Sequence, residues 1–105
     1  MILRGKKLGI LLSTKPEEPN FQHGVCLAAA GVARGVEVYL YCIDDAVSGI
    51  RDPRITHLKQ LGVRLFACAY GAQMRNLEAD DCVYFAGLTV VADLMADTDR
   101  FISFN

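Results

Sequence analysis

The chain has 105 residues, a formal net charge of -1 and 52% hydrophobic residues. That length holds one core and one domain, residues 1–105, burying roughly 60–70% of the unfolded surface, so four cysteines are not needed as staples. No basic stripe suits nucleic acid, and no segment approaches the ~18 apolar residues of a membrane span.

The run Leu8–Leu12 is too short for a signal-peptide core and no small-residue cleavage site follows it. A cytoplasmic protein with reduced thiols is therefore expected. The apolar surplus is more than a small monomer hides easily, which predicts a homo-oligomer.

Lys7–Ser13 reads as a strand closed by a polar loop with Pro16 and Pro19. Asn20 is a candidate N-cap for a helix over 21–33, where Phe21, Val25, Ala28, Ala29 and Val32 recur at helical spacing and Gly35 supplies the stop. Val36–Cys42 is β-branched and aromatic, a second strand. Ile43–Asp52 reads as a polar loop. Ile55, Leu58 and Leu61 mark a short helix entered through Pro53 and ended by Gly62.

Val63–Ala67 is a third strand, and Cys68 stands where it gives way to a short helix running toward Arg75. Asp80–Phe85 reads as a fourth strand, and Leu88, Val91, Ala92 and Met95 as the inward stripe of a last helix. Arg100–Phe104 is the fifth strand. Strands alternating with helices imply crossovers, hence an α/β fold with a mostly parallel five-stranded sheet covered on both faces.

In such sheets ligands bind beyond the carboxyl ends of the strands. This selects the loop after Ser13, the loop after Cys42 and the turn at Cys68. A thiol between a strand end and a helix start meets exposed N–H groups, which favour the thiolate that attacks sulfur and carbon electrophiles. The competing reading is a small buried hydrophobe.

Cys42 ends a strand on the same edge and is either a resolving partner for Cys68 or a buried side chain. Cys26 is assigned to the core and Cys82 to the opposite rim. Arg75 is a candidate to hold an anionic donor, or else a solvated surface arginine. His23, in the first turn after the first loop, is a candidate for the same crevice, or an exposed histidine unconnected with it. Asp44 and Asp45 either lip the crevice or solvate a turn.

Other chemistries lack their motifs. No G-x-G-x-x-G or Walker lysine cradles a phosphate, and no G-x-S-x-G makes a hydrolase elbow. The cysteine spacings contain no C-x-x-C and no zinc pairing, so no metal and no cofactor are expected.

The order of pieces resembles the small sulfur-relay proteins of the DsrE/DsrF/TusD type over nearly the whole chain. The likeness rests on the Ala-rich helix over 21–33, Gly35-Val36-Glu37-Val38 with Tyr39-Leu40-Tyr41, and Leu65-Phe66-Ala67-Cys68-Ala69. It continues through Phe85-Ala86-Gly87-Leu88 and Asp99-Arg100-Phe101-Ile102-Ser103-Phe104. The resemblance implies a three-layer α/β/α domain, a trimer or hexamer, and sulfane sulfur carried as a persulfide on Cys68. Sulfur donor and acceptor proteins would then be the partners, and Arg75 loosely matches a basic position. Two alternatives stand beside this: a thiol redox enzyme or sensor using Cys42 with Cys68, and a non-catalytic subunit or small-ligand binder.

Overall fold

Five apolar runs pair into one sheet, because near-continuous Val, Ile, Leu and aromatic residues leave both strand faces in need of cover. The strands are β1 (Lys7–Leu12), β2 (Glu37–Cys42), β3 (Arg64–Cys68), β4 (Tyr84–Ala86) and β5 (Arg100–Phe104). Their order is β4-β3-β2-β1-β5 and every pairing is parallel. The helices are α1 (Pro19–Ala33), α2 (Pro53–Leu61), α3 (Ala69–Met74) and α4 (Leu88–Asp97). The computed structural model describes residues 3–105; the single unit expected over 1–105 includes Met1 and Ile2, which lie outside the described residues.

Alternation along the strands divides the core in two. One face carries Ile10, Leu12, Val38, Leu40, Cys42, Leu65 and Ala67, closed by Phe21, Val25 and Ala28 of α1 and Ile55 and Leu58 of α2. The other carries Leu11, Tyr41, Phe66, Cys68 and Ala86, packed against Ala72 of α3, Leu94 of α4 and Val47. The result is the three-layer α/β/α arrangement.

A guanidinium fastens the first face. Arg54 Nη1 donates to Gln22 Oε1 at 2.8 Å, Nη2 to the Pro16 carbonyl at 3.0 Å and Nε to Asp52 Oδ1 at 3.0 Å. It also lies over the Phe21 ring, 4.7 Å from the centroid. Asp52 caps α2 by accepting from Arg54 N, and the Arg54 hydrogen bonds hold its carboxyl below the usual range. Gly62 ends α2 at φ 104, a left-handed conformation that favours glycine.

Four local expectations differ from the structure. Asn20 is not the N-cap of α1: the helix starts two residues earlier than expected, at Pro19, with Glu18 as cap, and Asn20 Nδ2 donates instead to the Asn105 carbonyl. The stretch after Cys42 contains a 3-10 helix, Asp44–Gly49, whose Ala46, Val47 and Gly49 are buried. Strand β4 spans three residues rather than starting at Asp80, because Asp80 Oδ1 accepts from Cys82 N and Val83 N and folds that stretch into a turn. Helix α4 buries Leu94, while Leu88 and Met95 are each 60% exposed.

Candidate functional site

Cys68 closes β3 and is the N-cap of α3, with extended backbone (φ -61, ψ 119). Its Sγ accepts a hydrogen bond from Gly71 N at 3.4 Å. The sulfur therefore meets a backbone donor at a strand-to-helix turn, as the sequence leads one to expect. Its exposure is lower than that expectation: only 8% of Cys68 is accessible. What access it has is to a cavity of about 350 Å³, lined also by Ile43, Asp44, Tyr70, Arg75, Gly87 and Leu88.

Arg75 follows α3 and lines this cavity. Its Nη2 lies 3.6 Å from Asp45 Oδ1, and its Nη1 donates to the Gly71 carbonyl at 3.2 Å. The two groups tie α3 to the Asp44–Gly49 turn across the cavity mouth. An exposed pair of this length stabilises the fold by at most about 1 kcal/mol. Asp44 lines the cavity with φ 51, whereas Asp45 is not among the lining residues and supplies the counter-charge to Arg75.

Tyr41 is the neighbour that sequence reading missed. It is fully buried, its hydroxyl reaches across β3 to donate to the Ala86 carbonyl at 2.9 Å, and Ala86 is the register partner of Cys68. Burial raises the Tyr41 phenol pKa above its usual value; the adjacent Cys68 sulfur, and then Cys42, add to that effect. The tyrosine side chain thus forms part of the floor beneath Cys68. The available signal was alternation: Tyr41 and Cys68 fall on the same face once β2 and β3 are paired.

The same alternation separates Cys42 from Cys68. Cys42 pairs in register with Ala67 and packs into the first face, whereas Cys68 packs into the second. Cys42 is 1% exposed, and burial pushes its thiol up to about 12. It is a packed hydrophobe on the far side of the sheet, not a resolving partner facing Cys68. An intramolecular disulfide would require one strand to leave its register.

His23 is exposed on α1, with Nδ1 2.9 Å from Asn20 Oδ1. Helix α1 covers the first face, and His23 is not among the residues lining the Cys68 cavity. Of the four candidates, the fold brings together Cys68 and Arg75 and leaves Cys42 and His23 apart from them. Cys26 is exposed rather than core: the buried stripe of α1 runs through Phe21, Val25 and Ala28, and Cys26 sits one residue off it, accepting from Gln22 Nε2. Cys82 is half-buried in the turn before β4, at the opposite edge. Among the described residues no group of three or more His, Cys, Asp or Glu is placed to hold a metal ion, and no helix is long and apolar enough to cross a membrane.

Comparison with solved structures finds the same architecture. The YchN protein from E. coli superposes with a TM-score of 0.80 at 19% identity, over 94% of this chain and 99% of that one. A conserved protein of unknown function from Bacteroides thetaiotaomicron gives a TM-score of 0.76 at 17% identity, over 94% of this chain and 95% of that one. At these identities the likeness is one of fold. No curated protein matches the chain in sequence. The family model of the DsrE/DsrF-like family matches residues 6–104, nearly the whole length, with Cys68 inside it. The chain belongs to the DsrE/DsrF-like family.

Proposed function

We propose that the protein is a sulfur carrier that accepts sulfane sulfur on Cys68 and passes it to a partner thiol. The Cys68 thiolate attacks the outer sulfur of a donor persulfide, the donor's S–S bond breaks, and the donor leaves as a thiolate. An acceptor thiolate then attacks the outer sulfur of Cys68-S-SH and releases Cys68 as the leaving thiolate. No oxidant, metal or organic cofactor enters the balance.

The observation that carries this reading is Cys68 at a strand-to-helix turn, hydrogen-bonded by Gly71 N and opening on a cavity shared with Arg75. Arg75 would steady an anionic donor at the mouth. The sulfur donor and acceptor are proteins, and the carrier is cytoplasmic. A homo-oligomer, trimer or hexamer, is part of the proposal. It is supported by the exposed apolar groups around the cavity, Tyr70 at 70% and Leu88 at 60%.

One observation favours a second reading. With 8% exposure, Cys68 is shielded enough to suit a non-catalytic subunit or small-ligand binder. Intact-mass measurement after incubation with a sulfane donor decides between them. A gain of one sulfur on the wild type that is lost in Cys68→Ser supports the carrier. An unchanged wild-type mass, or the same gain in the variant, overturns it.

A further inference from the structure

At the amino edge of the sheet, away from Cys68, α1 and β1 part to leave a second hollow of about 530 Å³. Its apolar surfaces come from Leu3, Leu8, Leu27, Ala30 and Val36, and a volume of this order suits a small organic ligand. Four cationic residues line it, Lys6, Lys7, Arg34 and Arg100, against one acid, Asp99. Among the described residues none of the four forms an ion pair. In a chain of net charge -1 that is a local excess of positive charge.

Asp99 Oδ2 accepts from Lys7 N at 2.7 Å, and its single charge offsets one of the four cations. The carboxyl end of α1 beside the hollow adds only a partial negative charge, so the balance at the rim stays positive. Its carbonyls are closed by Arg34 N and Val36 N to the Gly31 carbonyl and by Gly35 N to the Val32 carbonyl. A hydrocarbon pocket with cations at its edge is complementary to one kind of small molecule. It would enclose an aliphatic tail while its basic residues meet a negative head.

We propose that this hollow binds a single-chain amphipathic anion, of the class of a medium-chain acyl carboxylate. The site is independent of Cys68, and nothing in the sulfur-carrier reading requires it.

Decanoate below its micelle threshold is the probe, followed by amide chemical shifts of the isotopically labelled full chain. Saturable shifts at Leu8, Leu27 and Arg34 are expected with decanoate, and none with butyrate or decyltrimethylammonium. Ala30→Trp fills the hollow and Arg34→Glu reverses a rim charge; both positions are exposed, and circular dichroism checks the fold. Each variant should weaken decanoate binding by at least about tenfold. Absent saturation, equal shifts with decyltrimethylammonium, or unweakened binding in both variants overturns the proposal. Capture by phosphatidylglycerol vesicles without decanoate binding would assign the face to a membrane surface. A fall in scattering mass of Ala30→Trp would assign it to a second copy of the chain, and either result also overturns the proposal.

Discussion

The two faces of the sheet differ in how they are finished. The first is sealed by two helices and a guanidinium clamp, and its side chains from Ile10 to Leu58 are almost wholly inaccessible. The second has one long helix and one short one for the same five strands, so Tyr84 at the β4 edge stays 69% exposed. The cysteines follow that division. Cys42 and Cys68 both end central strands, yet one is a sealed hydrophobe and the other borders a cavity. Strand-end position therefore nominates a residue, and the face onto which it points decides whether it borders a cavity.

Thiol labelling tests that contrast most severely. Alkylation of Cys42 requires global opening and should be more than about a thousandfold slower than that of unfolded chain, whereas Cys68 should react without unfolding. Equal rates, read by peptide mapping, would erase the distinction. Phe21→Ala should cost about 3–5 kcal/mol in denaturant unfolding, since the ring is fully buried beneath Arg54.

The sealed thiol also makes an alkaline prediction. Cys42 ionises near 9.0 in an unfolded chain and about 12 in the folded one. Its contribution is thus intact below pH 9 and declines as pH rises from 9 toward 12, by up to about 1.4 kcal/mol per unit. Unfolding curves of Cys42→Ala should fall less steeply over that window; an unchanged slope would refute the assignment. At the small end, Leu88→Ala on the open face should move monomer stability by no more than about 0.5 kcal/mol. A larger loss, scaling with protein concentration, would mean that another chain covers this helix.

Much of this architecture was readable because local and long-range signals agreed. Helix α2 announced itself through Pro53, Ile55, Leu58 and Gly62, while Leu61, read into the same stripe, is left exposed. Cys68 was legible for the same reason, an apolar run turning abruptly into helix formers. What failed depended on pairing. Tyr41 beneath Cys68 and Cys42 on the reverse face both follow from register, which a single strand does not disclose. Strand β4 was overextended because the Asp80 carboxylate diverts two amides into a turn. In α4, the stripe read through Leu88, Val91, Ala92 and Met95 is displaced, because packing buries Leu94 and leaves Leu88 and Met95 exposed.

Arg54 has a dynamic consequence. By holding Pro16, Gln22 and Asp52 together, it joins segments up to 36 positions apart in sequence into one cooperative block. Amide protons of α1 and α2 should therefore exchange with deuterium at a shared, slow limit, while those of α3 exchange ahead of them through smaller openings. The rigid half then serves as a foundation on which the thiol-bearing turn can breathe without loosening the fold.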